Sequence, residues 1–213
     1  MRFVWENRGE RMNITSDLVK RLREMTGAGM MDCKRALEEA GGDLDRAREV
    51  LRAKGLAAAA KRAGRVAAEG VIESYIHMNR RLGVLVEVNC ETDFVANTDD
   101  FRSLARDLAM HIAASNPRWI DRDEVPDDVI AGERKVFEEQ AREQGKPEDV
   151  IPRIVDGKLE AFYKESVLLD QPFIKDDSVV IGDLIAQMGA KLGEKVEVSR
   201  FSRFRLGERD DAS

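Results

Sequence analysis

From Thr15 onward the chain carries apolar residues at helical spacing: Leu18, Leu22 and Met25 follow the capping types Thr15 and Ser16, and Gly27 and Gly29 mark a stop. A second helix is predicted from about Met31, with Cys33, Ala36, Leu37 and Ala40 on one side and Gly41-Gly42 at its end. Asp43 then caps a third helix, whose Leu44, Ala47, Val50 and Leu51 share a face as far as Gly55. Three short helices with glycine joints predict a small bundle over residues 13–55, of a size that suits a docking module. Beyond it, LAAAAKRAGRVAA is alanine-rich and basic, and Leu56 and Val66 are its only bulky apolar residues. It reads as a helical linker over 56–69 that holds two bodies apart.

The period then changes to two. Ile72, Ser74 and Ile76 alternate with Val71, Glu73 and Tyr75, and after a polar turn at Asn79-Arg80-Arg81 the run LGVLVEVNC places Val84, Val86, Val88 and Cys90 on one face. These are two strands, most simply a hairpin. A helix resumes from Asp100 with Phe101, Leu104, Ala105, Leu108 and Ile112 and stops near Asn116-Pro117. Charged helical segments follow around Val129 to Gln144 and Val150 to Lys164. A last strand, VEVSRFSRF, alternates at Val196 and Val198 and then shifts phase to Phe201 and Phe204, which predicts a bulge or an edge position. The pattern predicts an α+β core over 70–207 with a sheet of about three antiparallel strands, covered in part by the acidic helices. A sheet that small leaves edges and a face to protect, so self-association is a natural outcome. Residues 1–12 have no clear period and read as a tail or an over-long gene start; 208–213 read as a C-terminal tail.

Charge divides the chain in the same place as the period. Residues 13–67 hold 12 Lys/Arg against 8 Asp/Glu, whereas 68–213 hold 20 against 31, so the net −6 of the 213 residues joins a basic front to an acidic body. The charged fraction of 36% exceeds the roughly 25% usual for globular domains and favours long solvated helices. No stretch approaches the roughly 18 uninterrupted apolar residues of a membrane span, and the opening has no apolar block of signal-peptide length, so a cytoplasmic protein is expected. Cys33 and Cys90 lie far apart with no Cys-x-x-Cys pair, and His77 and His111 are the only histidines, so no zinc site, disulfide framework or catalytic triad is indicated. Neither a phosphate loop nor a G-x-G-x-x-G turn is present, so no nucleotide, metal or cofactor is expected to bind. The paired aspartates at 99–100, 127–128, 176–177 and 210–211 read as helix starts or solvated turns.

Three features remain as candidates for contact. His111 falls on an amphipathic helix as a boundary or core residue. Met30-Met31 follows a glycine joint, where either one methionine fills the bundle core, the reading burial preferences favour, or the pair forms an adaptable surface. Phe94, in ETDFVANTDDF, fits neither neighbouring period and follows the capping type Thr92. It either tucks back over the sheet or, with Asp93, forms a wedge presented on a loop between a strand and a helix.

Taken together, LVKRLREMTGAGMMDCKRALEEAGGDLDRA and LVEVNCETDFVAN resemble the bacterial elongation factor Ts family, and the likeness continues through HIAASNPRWI and QPFIKDD to RFRLGE. The family promotes guanine-nucleotide exchange on elongation factor Tu without covalent chemistry. The resemblance implies that the helical front is a ubiquitin-associated-like domain docking on the GTPase, with Met30 and Met31 in the contact, which reverses the preference for the core. It implies that Thr92, Asp93, Phe94 and Val95 form a loop intruding near the magnesium site, and that His111 contacts a pocket beside the nucleotide loop. Longer relatives carry a duplicated core with a coiled-coil insertion, and a homodimer of this shorter chain could replace the missing half. Such a dimer would be noncovalent at the terminal strand, where neither cysteine lies and Ser202 cannot form a disulfide. The rival reading is a ribosome- or RNA-associated protein using the basic front, against which stand the acidic body and the lack of an RNA-binding motif.

Overall fold

Thr15 starts the first helix, α1 (Ser16–Thr26), by accepting the Leu18 N–H at 3.3 Å, and Gly27 ends it in the left-handed region at φ 67°. Helix α2 (Met30–Glu39) follows, and Asp43 caps α3 (Leu44–Arg62) by accepting the Asp45 and Arg46 N–H groups at 2.9 and 3.0 Å. The three helices close on Val19, Leu22, Cys33, Ala36, Leu37, Ala40 and Ala47, all buried. Five of these seven are Cys, Ala or Val, and such small side chains let the helix axes approach closely. The computed structural model describes residues 14–208, so the expectations for residues 1–12 and for the end of the tail lie outside the described residues.

The stop expected at Gly55 is absent. A glycine inside a helix costs about 1 kcal/mol, but the alanine run after it is strongly helix-forming and Gly55 itself is buried, so α3 continues to Arg62. It packs on a later helix, α8 (Ile181–Leu192). Across that contact Arg52 Nη1 donates to the mostly buried Asp183 Oδ2 at 3.1 Å.

The body is built on β1 (Glu69–Ile76), β2 (Leu82–Cys90) and β5 (Val196–Arg205), an antiparallel sheet in the order β1-β2-β5, so the fold is α+β. Arg80, at φ 55°, closes the β1–β2 turn, where its N–H donates to His77 O at 2.7 Å. Val84, Val86, Val88 and Cys90 all face the core. The phase shift in β5 is a bulge: Glu87 pairs with Arg200 but Val88 with Val198, leaving Ser199 unmatched, so Phe201 turns inward and Phe204 outward. Gly70 is required where it stands, since a Cβ there would lie 2.1 Å from Val88 O.

After β2 come α4 (Asp93–Ala96) and α5 (Asp99–Ser115), whose Phe101, Leu104, Leu108 and Ile112 cover the inner face of the sheet together with Ile181 and Ile185 of α8. The acidic helices α6 (Asp127–Glu143) and α7 (Ile151–Ser166) do not cover it, contrary to expectation. They pack on each other as a hairpin with a core of its own, Ala141, Ile151, Val155 and Leu159. Its base is tied down by Arg122, which forks to Asp170 at 2.8 and 2.9 Å and to Glu160 at 2.9 Å and lies over Tyr163. A short hairpin of β3 (Pro172–Phe173) and β4 (Asp176–Val180) leads into α8; neither it nor α8 was visible in the periodicity. At Gly182 and Gly189 of α8 added Cβ atoms would lie 3.0 Å from Leu169 O and 2.9 Å from Glu194 O, so these glycines serve close packing.

Candidate partner-binding site

The loop after β2 is held at several points. Thr92 caps α4 by accepting the Val95 N–H at 3.3 Å, and the single turn that follows sends Val95 and Ala96 into the core. Thr98 Oγ1 donates to Val95 O at 2.8 Å while capping α5, and Asn97 Nδ2 donates to Asp93 O at 2.9 Å. With 95 and 96 turned inward, 93 and 94 must point out, and Phe94 is 78% exposed. Burying a phenylalanine is worth roughly 1.5–3 kcal/mol, which this loop forgoes in the free protein. The reading of Phe94 tucked over the sheet is thereby corrected.

A second set of contacts reaches the loop from the other end of the chain. Glu194, in the turn between α8 and β5, accepts the N–H groups of Glu91 and Thr92 through Oε2 at 3.0 and 3.1 Å and the Thr92 hydroxyl through Oε1 at 2.6 Å. In return Glu91 Oε1 accepts the Lys195 N–H at 2.6 Å, and Arg65 Nη1 donates to the same carboxylate at 3.1 and 3.4 Å. The Lys195 N–H and the Arg65 guanidinium hold the Glu91 carboxyl below the usual carboxylate range. None of Arg65, Glu91, Glu194 and Lys195 stood out in the sequence. The loop and the turn are 102 residues apart and no local pattern links them.

On the helical module Met30 and Met31 are 51% and 62% exposed, so the burial preference for the core fails at both. The packed stripe of α2 runs through Cys33, Ala36, Leu37 and Ala40, and the two methionines lie in the first turn, ahead of it. His111 is the opposite case: it is fully buried, and its neighbours set the tautomer. Nε2 donates to Gln171 Oε1 at 2.9 Å, and Nδ1 faces the Ile174 N–H at 3.4 Å and Ser115 Oγ at 3.5 Å. Burial pushes its pKa below the ordinary imidazole value. In this structure His111 is a core residue that braces the β3–β4 segment from within, whereas the resemblance implied that it contacts a partner's pocket. Cys33 and Cys90 are buried thiols whose pKa values burial raises, which makes both poor nucleophiles. Among the described residues no three His, Cys, Asp or Glu side chains gather as a metal site, and no helix is long and apolar enough to cross a membrane.

An α+β body that presents an uncovered aromatic on a braced loop, joined to a helical module with exposed methionines, has the build of a protein that acts by docking on another protein. The comparisons with known proteins are specific. A family model described as Elongation factor TS matches residues 45–208. Elongation factor Ts of Carboxydothermus hydrogenoformans is 59% identical over 195 residues, which cover 92% of this chain and 90% of that protein. Elongation factor Ts of Fervidobacterium nodosum is 57% identical over 197 residues, covering 92% of this chain and all of that protein. The chain belongs to the elongation factor Ts family of translation factors, and these relatives are of about its own length.

Proposed function

We propose that this chain promotes GDP release from elongation factor Tu in the cytoplasm, by docking through its helical module and inserting Phe94 and Asp93 beside the magnesium and nucleotide site. The observation that carries this reading is the outward Phe94 on a loop braced from both sides. Phe94 is the wedge, Asp93 its charged neighbour, Thr92 the cap that sets its direction and Val95 the anchor beneath it. Met30 and Met31 supply an adaptable apolar contact for docking. The process needs no covalent step. If the factor binds nucleotide-free partner more tightly than the GDP complex, linkage requires that it weaken GDP binding by the same factor. Burial of Phe94 could supply about one to two orders of magnitude of that coupling, so other contacts must contribute as well.

The test is release of labelled GDP from elongation factor Tu. Wild type should accelerate it, Phe94→Ala should lower the acceleration by about ten-fold or more, and Met31→Ala should raise the concentration needed for half-maximal effect. No acceleration by wild type would end the exchange-factor reading. The RNA-binding alternative gains nothing from the structure: Arg35, Arg52, Lys54 and Arg65 of the basic front each pair with a carboxylate.

We further propose that the chain forms a noncovalent homodimer through the outer face of its sheet. Ile72, Ile76, Leu85 and Phe204 are all exposed there, and both cysteines are buried away from it. Size-exclusion chromatography with light scattering should give twice the chain mass at micromolar concentration, and a monomer would sink the idea.

A further inference from the structure

Two carboxylates at the foot of the exposed loop exchange partners across the chain. Glu91 is the first residue after β2 and Glu194 lies in the turn before β5, and each accepts a backbone N–H from the other's segment. Glu194 carries the heavier load, with two backbone donors and the hydroxyl of the residue that caps α4. A carboxylate taking two adjacent N–H groups fixes the plane of the peptide between them. Here that peptide joins Glu91 to Thr92, immediately ahead of the turn that throws Phe94 outward. The Thr92 hydroxyl is used twice, as donor to Glu194 and as acceptor from Val95, so the clamp and the cap share one atom. Arg65 extends the arrangement to the segment following α3, and so ties the helical module to the same carboxylate pair.

From this geometry we infer that Glu194 is a positioning residue for exchange: it does not meet the partner but holds Thr92, and through Thr92 the direction of Phe94, so that the wedge enters without first being ordered. The physical gain is preorganisation. A loop already held in its bound direction loses less conformational freedom when it inserts, and more of the contact energy remains to displace nucleotide. This role rests on the wedge reading of Phe94 proposed above.

The experiment compares Glu194→Ala, Glu194→Gln, Phe94→Ala and the double variant Glu194→Ala/Phe94→Ala in labelled-GDP release, alongside amide hydrogen exchange of the free protein at Glu91 and Thr92. Glu194→Ala should slow exchange by about ten-fold, the size expected when backbone donors lose their acceptor. Glu194→Gln should recover most of that loss, since its amide oxygen can take the backbone donors and its NH₂ can donate to Thr92 Oγ1. The double variant should be no slower than Phe94→Ala alone, because Glu194 acts only through Phe94. Protection of the Glu91 and Thr92 amides should fall in Glu194→Ala and return in Glu194→Gln.

Three results would overturn the assignment while leaving the wedge in place: a wild-type rate for Glu194→Ala, losses that multiply in the double variant, or unchanged amide protection. A wild-type rate for Phe94→Ala would instead remove the wedge itself, and with it this role for Glu194.

Discussion

Buried His111 ties stability to pH. Its hydrogen-bonding neighbours, Gln171, Ser115 and Ile174, are all uncharged, and the bond to Gln171 offsets only part of the loss of water that a proton on the ring would suffer. The folded-state pKa is therefore lowered, while the unfolded chain titrates near about 6.5. Between those two values the unfolded state holds more protons, so the stabilisation is complete above about pH 6.5 and is lost as pH falls toward the folded-state pKa. Urea midpoints at pH 7.5 and 5.5 should differ in wild type and differ less in His111→Gln, which can keep one hydrogen bond without the charge. Equal pH dependence in the two proteins would remove His111 as the cause.

Among the elements, the central hairpin depends on a single position lacking a side chain. Gly70 sits at φ 151° opposite Asn89, and a methyl group there would meet the Val88 carbonyl oxygen at 2.1 Å, a contact the backbone must move to relieve. Gly70→Ala should cost roughly 2 kcal/mol, and lower the melting temperature by about 4–8 °C for a domain of this size. Gly55→Ala should be neutral or stabilising, because nothing lies within 4 Å of its added Cβ and the helix interior prefers alanine. Thermal melts of the two variants check both statements. The contrast shows why Gly55 misled as a stop signal: in a helix a glycine weakens the backbone without forbidding it, whereas at Gly70 the neighbouring strand leaves no room.

For the whole molecule the decisive contact is α3 on α8. Arg52 meets a mostly buried Asp183 there, and taking the guanidinium away leaves that carboxylate without its ion-pair partner, a loss of about 1–3 kcal/mol. Arg52→Ala should loosen the helical module from the body, broadening the distance distribution between spin labels at Lys20 and Lys135. An unchanged distribution would show that apolar packing alone holds the two parts together. What was legible from sequence is local in origin. The caps Thr15 and Asp43, the stripe of α2, the alternation of β2 and the phase shift of β5 all arise from residues a few positions apart, and Phe94 stood out because it obeyed neither period beside it. The sequence by itself thus determined the first helices, the three long strands and α5 to α7, together with the aromatic that was out of place, but not the β3–β4 hairpin, α8 or the end of α3. Tertiary structure alone decided that α5 and α8, not the acidic helices, cover the sheet, that His111 is inside and both methionines are outside, and that Glu194 reaches the loop at Thr92. The physical reason is range: periodicity and capping are settled within a turn or two of backbone, whereas burial and long-range hydrogen bonds exist only once distant segments have packed.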